Sequence, residues 1–206
     1  IMKNPQVILT SVDEYQKKSV QTRQGEALQQ NSGAIFNDAS SPVAGNPKGD
    51  VTVVKFSDYN CGYCKRAFEA VNSLLTKDKN VRFVFKDFPI LGPSSKAAAD
   101  WALAAQRQGK YFEFYKAMML NKKPITDELL EKVAKDTGLD VTRAKKDAAS
   151  KEVADQLDKN LALASSLGLS GTPVFIVGDT IIPGAVPVEE LETLVSAARA
   201  KAKAKK

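Results

Sequence analysis

Two hydrophobic periodicities alternate along the chain and lay out most of its elements. Val51-Thr52-Val53-Val54-Lys55-Phe56 is rich in β-branched residues and predicts a strand. Beyond Asp58-Tyr59-Asn60, the residues Phe68, Val71, Leu74 and Leu75 fall on one face of a predicted helix. Val81-Arg82-Phe83-Val84-Phe85 predicts a second strand, closed by Pro89 and Gly92-Pro93. Strand, helix and strand within about 35 residues have the size of a βαβ unit. From Ser94 to Leu167 the pattern is helical, broken at Gln108-Gly109, Lys123-Pro124 and Gly138, with Ser94 and Thr126 as expected N-caps. Trp101, Leu103, Tyr111, Phe112, Phe114, Tyr115 and Met118 supply its apolar faces and read as core. The strand pattern returns at Thr172-Pro173-Val174-Phe175-Ile176-Val177. Gly178-Asp179 then turns the chain into Thr180-Ile181-Ile182, a hairpin. Pro187 opens a last amphipathic helix through Leu191, Leu194, Val195 and Ala198.

The N-terminal region has a different texture. Val7, Ile8, Val12 and Tyr15 sit at helical spacing with Leu9 between them, but from Gln16 to Gln30 only Val20, Ala27 and Leu28 are apolar. A helix that polar has too little apolar face to dock firmly along its length, so it predicts a stalk, a linker or an oligomerisation arm. As one helix, Pro5 to Gln30 spans about 39 Å at 1.5 Å per residue. Gly33, Pro42, Gly45, Pro47 and Gly49 then mark a non-helical connection. The expected organisation is an arm over residues 1–36, two parts of one α/β domain at 37–93 and 168–200, a helical insertion at 94–167 and a basic tail at 201–206.

Composition narrows the chemistry. The 206 residues are 43% hydrophobic and 26% charged, ordinary globular usage that excludes wholesale disorder. No apolar run approaches a membrane span. The net charge of +6 is interleaved with Asp and Glu and partly sits in the Lys-Ala tail, so a nucleic-acid partner is not expected. Histidine is absent, which removes Ser-His-Asp triads, Cys-His protease pairs and His-ligated zinc.

The two cysteines, Cys61 and Cys64, are three positions apart. Random placement would give that spacing about one time in a hundred, so the pairing is informative in itself. At the start of a helix this spacing brings both sulfurs within disulfide reach. The first sulfur then lies among unpaired N–H groups at the positive end of the macrodipole, which favour its thiolate. Cys61 is the expected nucleophile of thiol–disulfide exchange, Cys64 the resolving thiol, and the Cys61–Cys64 disulfide serves in place of a cofactor. Rival readings are a structural disulfide, which closes too short a loop to gain much, and zinc, which lacks two of its four ligands in one chain. Carriage of Cu(I) by the reduced pair is a further rival, since two thiolates suit a soft ion. Its discriminator is copper titration against a competing chelator. The three methionines all lie far from the pair in sequence.

Gly171-Thr172-Pro173 is the second element. A proline opening a strand needs no chemistry to explain it. The sharper expectation is a cis Thr172–Pro173 bond that presents the backbone of Thr172 to the cysteines, where an extended substrate peptide can pair with it.

Phe56-Ser57-Asp58-Tyr59-Asn60-Cys61-Gly62-Tyr63-Cys64-Lys65-Arg66, a helical insertion, and Gly171-Thr172-Pro173-Val174-Phe175 together resemble the DsbA-like thiol–disulfide oxidoreductases of the thioredoxin superfamily. Within them the chain most resembles the suppressor of copper sensitivity C proteins of bacterial envelopes, over about residues 37 to 200. The resemblance implies a thioredoxin fold with an inserted helical domain, here preceded by a helical arm. It also implies a periplasmic location, with any leader peptide expected to have been removed, and dithiol redox activity with Cys61, Cys64, Thr172 and Pro173 as functional residues. Some such relatives carry an N-terminal extension that makes them trimeric disulfide isomerases; others are monomers. Many carry an acidic residue six positions before the first cysteine, where a buried carboxylate relays the resolving thiol's proton. Lys55 stands there in this chain, either as a comparable acid–base group or as a solvated residue at a strand edge. Lys65 and Arg66 read first as a solvated helix face. Phe56, Tyr59 and Tyr63 are candidates for an apolar substrate surface, Phe56 equally for the core.

The expectation is therefore a thiol–disulfide oxidoreductase acting on misfolded or disulfide-containing proteins, with Gly62, Tyr63, Thr172 and Pro173 contacting substrate. An oligomeric isomerase, a trimer for preference, is favoured because linked sites raise effective concentration. The alternatives are a monomeric dithiol oxidase, recharged by a membrane-bound redox partner, and the copper-handling protein.

Overall fold

The computed structural model describes residues 5–204. Its centre is one five-stranded sheet of order β1-β3-β2-β4-β5, built from β1 (Val43–Gly45), β2 (Val51–Ser57), β3 (Val81–Asp87), β4 (Val174–Val177) and β5 (Thr180–Pro183). Only the β2–β3 pair is parallel, joined by helix α3 (Gly62–Lys77) as the βαβ unit requires. Between β3 and β4 lie α4 (Pro93–Gln106), α5 (Tyr111–Leu120), α6 (Asp127–Asp136), α7 (Val141–Ala148) and α8 (Lys151–Ser166), and α9 (Val188–Lys203) closes the chain. This layout is the thioredoxin fold with an inserted helical domain that the sequence resemblance implies. The expected breaks between helices are all present. One more occurs at Ala149, where Ser150 caps α8 by accepting from the Val153 N–H.

Alternation along β2 divides the interior into two cores. Val53 joins Phe83, Phe85, Phe175 and Val177 beneath α3, α9 and the inserted helices. Val54 and Phe56 face the other way, onto Val84, Phe88, Val174, Ile176, Leu163 and Leu167. Phe56 is thus core rather than substrate surface.

The arm is helical, as its pattern predicts: α1 runs over Pro5–Gln30. Its apolar N-terminal stretch, Val7, Ile8, Leu9 and Val12, lies outside the residues whose side chains are described. Tyr15 and Val20 are exposed. The connection that follows is not wholly irregular, because α2 (Ser32–Phe36) forms within it. Leu28 and Ile35 explain this: both are buried in the second core, so the root of the arm docks on the sheet. Arg82 donates to the Phe36 carbonyl at 2.6 Å, and the buried Lys86 ammonium reaches Asp38 at 2.9 Å and Ser41 Oγ at 2.6 Å. Further on the chain runs so close to β3 that a Cβ on Gly45 or Gly49 would collide with the backbone of Asn80 to Arg82, and Gly45 has φ +74°. The pairing of β1 with β3 follows from that approach.

One expected cap is displaced. Helix α4 starts at Pro93, with Gly92 at its N-cap in a backbone conformation (φ 108°) that favours glycine. Ser94 lies in the first turn, where its hydroxyl accepts from Asn60 Nδ2 at 2.8 Å. Thr126 caps α6 as expected, accepting from the Leu129 N–H at 3.2 Å.

Candidate active site

The site is assembled where β2 ends and α3 begins. Cys61 is the N-cap of α3, and its sulfur accepts from the Cys64 N–H at 3.3 Å. An amide aimed at that sulfur is well placed for the charge that attack requires. Both cysteines are unpaired thiols in this structure. Cys64 is fully enclosed, with the Asp58 N–H 3.5 Å from its sulfur. Burial pushes its thiol up to about 12, and the nearby Lys55 charge only partly offsets this. The pair is therefore asymmetric: Cys61 keeps 6% exposure, while Cys64 is fully enclosed and held as a thiol.

Thr172 and Pro173 are brought to the same place from the far end of the chain. The Thr172–Pro173 peptide is cis, and the Cys61 thiol donates to the Thr172 carbonyl at 3.2 Å. Gly62 and Tyr63 follow Cys61, and Tyr63 is 60% exposed. The guanidinium of Arg66 lies 4.1 Å from the centre of the Tyr63 ring, and Lys65 donates to the Asn121 carbonyl at 2.7 Å. Lys65 is thus half-buried, whereas Arg66 stays on an exposed helix face as its sequence position suggests. Leu91 and Leu120 are also exposed, next in the chain to groups tied to this region.

Lys55 points inward, not to a strand edge. Strand β2 is the middle strand, and its alternation puts Lys55 on the cysteine side, between Phe85 and Phe175 of the neighbouring strands. Its ammonium is fully buried, donates to the Tyr115 hydroxyl at 2.8 Å and lies 3.4 Å from the Cys64 carbonyl. Desolvation lowers it to about 8, against the opposing pull of Cys64, Cys61 and Asp87.

Two acidic residues that the sequence reading did not single out complete the site. Asp58 receives the Asn60 N–H at 2.7 Å and Ser95 Oγ at 2.6 Å on one oxygen, and the Ile90 and Leu91 N–H groups at 2.8 and 2.9 Å on the other. It binds the loop before the cysteines to the loop before α4. An Asp in a strand-to-helix loop, two residues before a polar amide, is a usable sequence sign of this. Asp87 lies deeper and accepts the hydroxyls of Tyr59 and Tyr111, both at 2.9 Å. Tyr59 is thereby fully buried and is no part of a substrate surface.

A thiol pair at a helix start, one sulfur under a carbonyl and the other above a buried ammonium, defines a thiol–disulfide oxidoreductase of the DsbA type. The DSBA-like thioredoxin domain matches residues 52–196, and the chain belongs to that family. A thioredoxin-like oxidoreductase from Silicibacter pomeroyi DSS-3 is 44% identical, with a TM-score of 0.78 over 81% of this chain and 96% of its own. A linker-deletion mutant of ScsC from Proteus mirabilis is 30% identical, with a TM-score of 0.86 over 96% of this chain and 92% of its own. The probable disulfide bond formation protein D of Bacillus anthracis is 32% identical, over 72% of this chain and 75% of that protein. The Na(+)/H(+) antiporter NhaA 3 of Salinispora tropica is 30% identical over 78% of this chain but only 25% of the antiporter, so the chain spans about a quarter of that relative's length. Among the described residues, no helix is long and apolar enough to cross a membrane.

Proposed function

We propose that the protein is a periplasmic disulfide isomerase that works as an oligomer, a trimer for preference, on misfolded proteins with wrong disulfides. The Cys61 thiolate attacks a substrate disulfide, forming a mixed disulfide and releasing one substrate thiolate. A second substrate thiol then attacks the mixed disulfide and regenerates Cys61, which completes a reshuffling. Alternatively Cys64 attacks the Cys61 sulfur, giving the Cys61–Cys64 disulfide and a reduced substrate. Thr172, Pro173, Gly62 and Tyr63 receive the substrate segment, and a membrane-bound reductant resets the pair. Lys55 is the proton partner of Cys64: as an ammonium it stabilises the departing charge, and as a free amine it takes the proton.

The observation that carries the exchange chemistry is the Cys61 sulfur at 3.2 Å from the Thr172 carbonyl and 3.3 Å from the Cys64 amide. Isomerisation is supported by α1, a long helix whose described side chains are mostly exposed and whose root is held on the domain by Leu28 and Ile35. Such an arm holds several sites around one substrate.

The test compares the full chain with a form lacking residues 1–24, a cut that spares Leu28 and Ile35. Light scattering gives the subunit number, and refolding of a scrambled disulfide protein gives the activity. The full chain should be oligomeric and unscramble the substrate, whereas the shortened form should be monomeric and only oxidise dithiol peptides. Equal unscrambling by both would refute the arm's role, and poor unscrambling by both with dithiol peptides still oxidised would favour the monomeric oxidase.

A further inference from the structure

Beneath the thiols lies an ionisable group that the exchange steps above leave unused. The Asp87 carboxyl, at the end of β3, is fully enclosed. Its Oδ1 accepts from both Tyr59 and Tyr111, while Oδ2 is buried with no hydrogen-bond partner. The same tyrosines lead towards Lys55. Tyr111 stacks on Tyr115 at 5.9 Å, and Tyr59 meets Tyr115 edge-on at 6.1 Å. The Tyr115 hydroxyl holds the Lys55 ammonium. Strand register agrees: Lys55 pairs with Phe85 and Ser57 with Asp87, so the lysine and the aspartate share one face of adjacent strands. A carboxyl needed only to fix two hydroxyls has no use for a second, enclosed oxygen, and burial makes its ionised form costly. An enclosed ammonium on the same face gives it one.

We propose that Asp87 is the buried counter-charge of Lys55, a positioning residue that acts across the Tyr59, Tyr111 and Tyr115 cluster. It sets whether Lys55 stands as ammonium or free amine when Cys64 gives up its proton. This rests on the reading of Lys55 as the proton partner of Cys64. In the resolving step the Cys64 S–H bond breaks, the Cys61–Cys64 bond forms and the Cys61–substrate bond breaks. The proton passes to the Lys55 amine, and the substrate leaves as a thiolate that takes a proton from water. An ionised Asp87 favours the ammonium so formed.

The surroundings leave few competitors for this role. Burial pushes Asp87 up to about 7, with the tyrosine hydroxyls pulling it back and Asp58 and Asp100 opposing its ionisation. Asp58 is held by backbone amides and Asp100 is paired with Lys96. The charges that act on Lys55 are those of Cys64, then Cys61, then Asp87. Lys86, beside Asp87 in sequence, belongs to the opposite face and to Asp38.

The experiment is single-turnover release of a labelled thiol peptide from its mixed disulfide with Cys61, followed from pH 6 to pH 10 in the full chain. Parent, Lys55→Met, Asp87→Asn, Tyr111→Phe and the Lys55→Met/Asp87→Asn double variant are compared. The difference between parent and K55M defines the lysine-dependent part of the profile and its midpoint. D87N should move that midpoint down by about one pH unit, a tenfold change in the amine's protonation at fixed pH. The double variant should follow K55M. Y111F keeps the ring stack, loses one donor to the carboxylate, and should shift the midpoint the same way by less; it carries the test if D87N does not fold by near-UV circular dichroism. Unmoved midpoints in the folded variants, with K55M still altering the profile, overturn this inference alone. If K55M leaves the profile as in the parent, the reading of Lys55 fails and the inference falls with it.

Discussion

Replacing Lys55 by Met should stabilise the fold while slowing resolution of the mixed disulfide. The side chain is fully enclosed, and its fall from 10.5 to about 8 corresponds to about 3 kcal/mol against the ammonium at neutral pH. Met fills a similar volume without charge but leaves the Tyr115 hydroxyl without its partner, a loss of about 1 kcal/mol. The expected net gain is about 2 kcal/mol. It should depend on pH in one direction. Between about 8 and 10.5 the unfolded lysine still holds a proton that the folded one has released, so the parent gains stability as pH rises through that window. Below 8 both states are protonated and the gap is at its full size. The assay is urea unfolding of the oxidised forms, in which no thiol titrates and the loss of the Cys64 and Cys61 charges lowers Lys55 further, at pH 7 and at about pH 10.5. K55M should unfold at higher urea at pH 7, and the difference should close or reverse at the upper pH. A parent that is the more stable at pH 7, or a gap constant with pH, would refute the reasoning.

The other expectations concern separate parts of the molecule. Brief alkylation of the reduced chain at mildly alkaline pH should label Cys61 and spare Cys64, whose thiol is both enclosed and pushed up to about 12; mass spectrometry of the peptides reads the ratio, and equal labelling would contradict the asymmetry. Cys64→Ser should accumulate the mixed disulfide with substrate, seen on a non-reducing gel, whereas Cys61→Ser should form none. Asp58→Ala removes a buried carboxylate and the four hydrogen bonds it accepts, and should cost about 3 kcal/mol or more, read as a lowered urea midpoint with weakened exchange activity. Ile35→Ala should cost about 2–4 kcal/mol in the second core and leave peptide oxidation by Cys61 and Cys64 intact, since Ile35 lies on the other side of the sheet.

The site was legible in the sequence to the extent that its parts were local. The β-branched run at Val51, the CxxC pair and the helical spacing after it sit within one βαβ unit, and Thr172-Pro173 announced itself as a dipeptide. Lys55 was half legible: alternation with Val54 and Phe56 fixes that it faces away from them, but which face holds the cysteines is a tertiary fact. Tyr59, Tyr111 and Tyr115 were read one by one as core or surface and Asp87 was not read at all, because nothing in sequence joins residues from a strand end, a loop and an inserted helix. Strand β1 and helix α2 were missed for a related reason. Each is short, and each exists because Gly45 and Gly49 let the chain close on β3 and Ile35 finds the second core. The displaced cap of α4 shows the limit of propensity: a glycine with φ 108° before a proline outweighed the serine that followed.

The division of the interior by β2 has a consequence for which changes of length the chain can absorb. Along 51–57 every position is committed to one face or the other, with the ammonium and the serine hydroxyl on one side and two apolar side chains on the other. Inserting or deleting a single residue here would put a charge into the apolar floor beneath the arm and a phenyl ring under Cys64. The linkers, between the Asn121 carbonyl and the Thr126 cap and at Ala149 ahead of the Ser150 cap, carry no such commitment. Natural or engineered variants should therefore differ in length at those linkers and hold the count between Val51 and Cys61 fixed.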